Sequence, residues 1–325
     1  IPAGISVYTN IMYRSDTIVS NEANNVRISL TNTVPGNIAL GSAVTIVNTL
    51  SQNYTQPSTV DTASKTFRAG GITVGSGMAS LTIGAGANDG ALTAKDAGGE
   101  LSLNNNSTAA LTVNAVIANN VSSSTLSKGG AGALTLSGNN TFTGGASIGG
   151  GTLKLGAAGG GANSPLGTTN GTTTVTGTGA ALDLNGFTLA TAEPLTLNGV
   201  GISEGGALMN GAVTAVVWSG PITLGSAARI NSAGGLLTLD RPSGDAIVGA
   251  GQALTFGGAG NVTVNDPIAT GAGSVTKDGA GALTLAGESR YTGATTVSAG
   301  TMIAGTNAFS AMYGAFGLDV TAVTL

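Results

Sequence analysis

Two aspartates flank an arginine in Asp240-Arg241-Pro242-Ser243-Gly244-Asp245, the densest charged cluster of this chain. Carboxylates so spaced on a loop suit a cation or a sugar, and a retaining glycosidase needs two carboxyl groups about 5 Å apart. The competing reading is a solvated turn that leaves regular structure at Pro242. Asp89, Lys95, Asp96 and Glu100 make a second, looser patch. It lacks the Gly-Gly-x-Gly-x-Asp period of calcium-binding β-rolls, so ion pairing is expected there. A calcium-dependent lyase would want several acidic residues on neighbouring strands, and only 26 of 325 residues are charged. Histidine and cysteine are absent. That removes the commonest general base, thiolate nucleophiles and metal ligands, and disulfides. The glycine-rich stretch 156–161 is followed by neither the lysine nor the helix of a phosphate cradle. Trp218, the only tryptophan, stands in an apolar run and reads as a core filler. The residues therefore offer no catalytic set, no cofactor site and no metal site. Asp240, Arg241 and Asp245 remain as a candidate polar cluster.

The elements that would position these groups are strands. Leucine alternates with threonine or another mostly polar residue in Leu81-Thr82-Ile83, Leu111-Thr112-Val113, Leu134-Thr135-Leu136, Leu195-Thr196-Leu197, Leu237-Thr238-Leu239 and Leu283-Thr284-Leu285. A period of two predicts strands with one buried and one wet face, with Leu134, Leu136, Leu153, Leu155, Leu283 and Leu285 inward and Thr135 and Thr284 outward. No segment has the period of an amphipathic helix, so the chain reads as all-β. Asn185-Gly186, Asn198-Gly199 and Asn210-Gly211 recur at near-equal spacing, as corner residues of successive half-coils would. Hairpins are the rival reading of those pairs.

Internal repetition favours a solenoid. Lys128 to Gly156 and Lys277 to Gly305 agree at 14 of 29 aligned positions. Each unit of such a stack buries its apolar face only against a neighbour. Lys128 and Lys277 open the two copies, and an exposed corner is expected for both. Phe142 and Tyr291 are expected in equivalent pockets. Glycine divides the chain: residues 1–68 hold three of the 55, so they are read as a cap or small β module ahead of a β-helix over 69–325. Net charge is −4 without a basic cluster, which speaks against nucleic acid. The longest apolar stretches are far too short for a transmembrane segment. Few charges leave little repulsion between copies, which favours self-association.

Gly130 to Gly144 closely resembles the passenger-associated transport repeat, also called the autotransporter-associated β-strand repeat. Gly279 to Thr301 resembles it too, with Tyr291-Thr292-Gly293 and Ala299-Gly300-Thr301 matching its signatures. The resemblance implies a right-handed parallel β-helix, secreted or displayed on a bacterial surface, and it marks export and coil building rather than an activity. Other β-helices act on polysaccharides, so a polysaccharide-active enzyme working through Asp240, Arg241 and Asp245 is one alternative. An adhesin that contacts surface glycans or host cells is another. The reading favoured by the residues is a non-enzymatic structural protein whose main partner is itself. An N-terminal arm with Ile5, Val7, Tyr8 and Ile18 would dock on a strand-like C-terminus with Val320, Val323 and Leu325, giving head-to-tail filaments.

Overall fold

Leucines at alternate positions stack directly on one another. Leu81, Leu111, Leu134, Leu153, Leu182 and Leu208 are register partners in successive parallel strands, and all six are fully buried. Thr82, Thr112 and Thr135, one residue on, form the matching outer ladder and are half-buried. In this computed structural model the chain is an all-β parallel solenoid of about 12 turns. At roughly 4.8 Å between stacked strands, it spans about 55–60 Å. The structure describes residues 10–12, 17–28, 37–305, 313–318 and 323–324. Apart from one 3-10 turn at Ile202–Glu204, no helix occurs among the described residues.

Each turn uses up to three faces. Leu101, Leu126, Ala146, Thr173, Leu195, Ile222, Ile247 and Ile268 stack on one face. The Leu81–Leu208 ladder lies on the second. A third face becomes regular only towards the C-terminus, in the five-stranded sheet from Val216–Trp218 to Thr301–Ala304. The six leucines expected on the axis are buried, and Thr135 and Thr284 face outward. The Asn-Gly pairs do not make hairpins. Asn185 and Gly186, at φ 50° and 83°, turn a coil corner between parallel strands. Among the described residues only two strand pairs are antiparallel, Asn163–Ser164 with Gly167–Thr168 and Tyr313–Gly314 with Gly317–Leu318.

The division expected near residue 68 falls inside strand Thr66–Val74. That strand pairs in parallel with Val44–Gln52 on one side and with Ala91–Ala94 and Glu100–Asn105 on the other. Asn21–Ile28 continues the ladder. The described part of residues 1–68 is thus built from the same coil, with longer strands and a different corner chemistry. Ala63 and Ser64 take φ of 44° and 64° without glycine. The Asp89 carboxylate, from the next coil, accepts both of their N–H groups.

Of the residues expected to join copies, Ile5, Val7, Tyr8, Val320 and Leu325 lie outside the described residues. Val323 belongs to strand Val323–Thr324, which pairs with Thr295–Val297. Ile18 stacks on Leu40 and is buried, so its side chain serves the coil's own interior.

The inner ladder has little slack. Leu153, fully buried between Leu134 and Leu182, has no side chain able to fill its place without moving a coil. Leu153→Ala should lower unfolding free energy by about 3–5 kcal/mol, measured as a shifted urea midpoint. A loss below about 1 kcal/mol would show that the ladder closes around the gap.

Candidate functional site

Asp240, Arg241 and Asp245 lie on the loop between strands Leu237–Leu239 and Ile247–Gly249, and the fold commits part of their polar atoms. The Arg241 N–H donates to Asp266 Oδ2, and its Nη1 donates to the Asp245 carbonyl at 2.6 Å. Asp245 pairs with Arg290. The loop is thereby tied to the following coils, and two of the three local carboxylates are occupied. Asp240 is exposed; its N–H donates to the Trp218 carbonyl, and its carboxylate has no partner among the described residues. One free carboxylate thus stands beside two that hold the corner to the following coils. Asp240→Asn should change stability by less than about 0.5 kcal/mol in a denaturant titration. No group of three or more metal-ligating side chains occurs among the described residues.

The residues that sequence reasoning misplaced are the two lysines. Lys128 and Lys277 are buried, with 1% and 2% of their surface exposed, not placed at exposed corners. Lys128 fills an inner ladder position between Leu103 and Ile148, and Lys277 fills one between Phe256 and Val297. Parity carried the signal: in Leu126-Ser127-Lys128 and Val275-Thr276-Lys277 the lysine shares the face of a buried residue two positions earlier. Each ammonium ends in a cage of backbone carbonyls. Lys128 Nζ donates to Gly129, Gly130 and Gly150 at 2.7–2.8 Å. Lys277 Nζ donates to Asp278 at 2.8 Å, Gly279 at 2.7 Å and Ala299 at 3.3 Å. Burial pushes the Lys128 amine down to about 8 and also lowers that of Lys277. The carbonyl acceptors work in the opposite direction, because they bind the charged form. Glycines let the cages close: a Cβ on Gly300, at φ +75°, would sit 2.9 Å from Lys277 Nζ.

The aromatic residues are equivalent, as expected, and each has a lid. Phe142 and Tyr291 are buried, and each ring lies against a glycine at φ near +90°, Gly167 and Gly317 respectively. Those glycines belong to the only two antiparallel strand pairs described. The Tyr291 hydroxyl hydrogen-bonds with Thr295 Oγ1 at 2.8 Å, and burial pushes its pKa up to about 12. The repeated unit is therefore a lysine cage, a leucine strand, a buried aromatic ring and a hairpin lid.

The two copies occupy different faces. Lys128 lies on the face of Leu101 and Ile268. Lys277 lies in the ladder that climbs from Leu134 through Leu153, Leu182, Leu208, Ile230 and Phe256. The unit is thus rotated by one face between its copies, and its cage is a local construction independent of which face bears it.

Two further carboxyl groups are set by their surroundings. Glu193 is buried at the corner before Leu195, and Thr173 Oγ1 donates to its Oε1 at 2.9 Å. Burial pushes its carboxyl up to about 8 against that hydrogen bond. Burial would also raise the pKa of Asp89. The N–H groups of Ala85, Ser64 and Ala63 and the Thr62 hydroxyl outweigh it and hold this carboxylate below its ordinary range.

One cleft of about 310 Å³ opens on the surface, lined by Asn88, Ser137, Asn139, Ala158, Gly159 and Gly160 among others. Asn88 Oδ1 accepts the Asn139 N–H at 2.6 Å, and the Asn139 amide brackets Gly160 through both its oxygen and its nitrogen. Its walls carry amide and hydroxyl groups without a charge.

Comparison with known proteins adds one match. The passenger-associated transport repeat matches residues 126–155 and 275–310, the two segments that begin at the lysine-bearing strands. No curated protein and no solved structure matches the chain. Repeat and architecture agree, and the chain is an autotransporter passenger-like β-solenoid built around two passenger-associated transport repeats.

Proposed function

We propose that this protein is a non-enzymatic rod, secreted or held at a bacterial surface, that works by contact along its outer faces and through its ends. The observation that carries this reading is the outer ladder Ser102, Ser127, Ser147, Thr174, Thr196 and Thr223, register partners over six consecutive coils. Hydroxyl groups repeat there at roughly 4.8 Å on a flat pleated face. Such a face offers hydrogen bonds to another extended polymer chain, and it carries little charge: the exposed Glu100 at its edge already accepts the Ser127 hydroxyl. The low charge of the whole chain supports association of like copies. A chain without histidine or cysteine, with Asp245 and Asp266 committed to local partners, supports the non-enzymatic reading.

End-to-end contact through the N-terminal arm is the form of self-association we favour. Electron microscopy of the purified protein should show fibres or layers, and deletion of residues 1–9, which spares the strands from Asn10 onward and the buried Ile18, should leave the coil folded and abolish them. Fibres that survive the deletion would exclude the arm as connector. The adhesin reading has its own support in the neutral cleft at Asn88, Asn139 and Gly160, whose amides suit sugar hydroxyls. Binding of the monomer to cells or immobilised glycans, lost in Asn139→Ala, would place adhesion first.

A further inference from the structure

The inner ladders pose a problem that their own residues do not solve. Leu-Thr-Leu occurs at 134–136, 195–197, 237–239 and 283–285, and comparable apolar-polar-apolar triplets fill the other coils. Sliding one strand by two residues against its neighbour keeps every side chain on its proper face, so apolar burial alone discriminates weakly between registers. Coil length does not settle the matter either. From Leu81 to its partner Leu111 the turn takes 30 residues, from Leu153 to Leu182 it takes 29, and from Leu103 to Lys128 it takes 25.

The lysine coils differ. From Lys128 to Ile148 and from Lys277 to Val297 the turn takes 20 residues in both copies. In both, Nζ reaches the carbonyls one and two residues on, and then the carbonyl 22 residues on, contributed by the next coil. The local carbonyls are available in any register. The third is in place only when the next coil has stacked with the observed offset. A slipped strand would leave a buried ammonium short of an acceptor, a defect that leucines would not register. The cage recurs on two different faces with different apolar neighbours, so the face does not create it.

We propose that each buried lysine is a register lock, which measures the length of the coil that follows it and rejects slipped pairings of interchangeable leucine strands. A buried polar group that fixes alignment while offering little net stability has physical precedent. The inference concerns folding of the coil and stands apart from the proposed contact function.

The chain contains no cysteine, so engineered pairs report register without background. Ser127 and Ser147 are outward register partners in adjacent strands. Neighbouring strands bring their Cα atoms roughly 4.8 Å apart, within disulfide range. Ser127→Cys/Ser147→Cys reads the native register, and Ser127→Cys/Gly149→Cys reads a two-residue slip. The full chain is unfolded in denaturant, refolded and oxidised. With Lys128 in place, only the first pair should cross-link. With Lys128→Met, yield from the first pair should fall by an order of magnitude and the slipped pair should appear, while the far-ultraviolet β-signal is regained. Unchanged yields in the refolded Met variant would overturn the proposal.

If Lys128→Met does not regain β-structure, the same measurement at the second copy decides. There Thr276 and Thr296 are outward partners, and Lys277→Met perturbs fewer downstream coils. Failure of both variants to refold would assign the lysines to stability alone, and it too would overturn the register lock.

Discussion

Gly258→Ala is expected to destabilise the solenoid by about 4 kcal/mol, the sum of a strained backbone and a clash with the coil below. Gly258 takes φ +98°, which L side chains rarely adopt, and an added Cβ would lie 1.9 Å from the Ser232 carbonyl oxygen. The clashing atom is backbone within a ladder, since the neighbouring Asn231 and Gly257 are register partners. No side chain can swing aside, so two coils would have to separate and weaken their shared hydrogen bonds. Gly86→Ala is the matched control, because its Cβ would meet nothing within 4 Å and its φ is not positive. That substitution should be neutral or stabilise by up to about 1 kcal/mol through a less flexible unfolded chain. Urea midpoints of the two variants, taken with the slope of the parent, give both values. Equal midpoints would mean that glycine at 258 does not set the spacing of these coils.

The second large effect is a pH dependence centred on Glu193. Its carboxyl is held up to about 8 by burial, against an ordinary value of 4.5. Between those two values the folded chain keeps a proton that the unfolded chain releases. Stability from this group is therefore fully present below about pH 4.5, declines as pH rises, and is lost above about pH 8. Glu193→Gln keeps the shape, allows Thr173 to keep donating to the side-chain oxygen, and removes the titration. It should match the parent near pH 4 and exceed it at pH 8.5 by on the order of 5 kcal/mol, since each pKa unit is worth 1.36 kcal/mol. Parallel stability profiles for parent and variant across that range would sink the idea. The site is buried because Gly220 permits close stacking: a Cβ there would meet the Glu193 carbonyl oxygen at 1.8 Å.

These effects bear on how a chain with so little charge keeps a single structure. Its outer faces are hydroxyl and amide, and its inner faces are largely leucine, isoleucine and valine. Among the polar exceptions inside are groups that discriminate: Lys128 and Lys277 in carbonyl cages and Glu193 as a neutral acid. The amides of Asn105 and Asn140 also lie inside, and each donates to carbonyls of other coils.

By itself the sequence determined the strands, their parity and the repeat. Leu134-Thr135-Leu136 dictates one buried and one wet face wherever it is placed, because side-chain alternation is a property of a single strand. Fourteen identities between two distant segments dictate equivalent local structures, and the cages and the aromatic pockets are indeed equivalent. Even the burial of the lysines was encoded in their parity with Leu126 and Val275, although charge argued the other way. The deciding acceptors, Gly150 and Ala299, lie 22 residues downstream and become neighbours only when a coil closes.

Tertiary structure alone decided how the units relate. Among the described residues, coil lengths between paired residues run from 15, Asn10 to Asn25, to 31, Gly71 to Ser102, and the difference is absorbed at corners that leave no periodic trace. The 149 residues between the lysines therefore amount to six turns and one further face rather than a whole number of turns. The contacts that Arg241 and Asp245 make were decided in the same way. The spacing of Asp240, Arg241 and Asp245 along the chain left both a binding site and a solvated turn open. Asp266 and Arg290, brought alongside by the following coils, occupied the arginine N–H and the second carboxylate. Local pattern fixes which way a side chain points; what it meets there depends on loop lengths summed over every coil between.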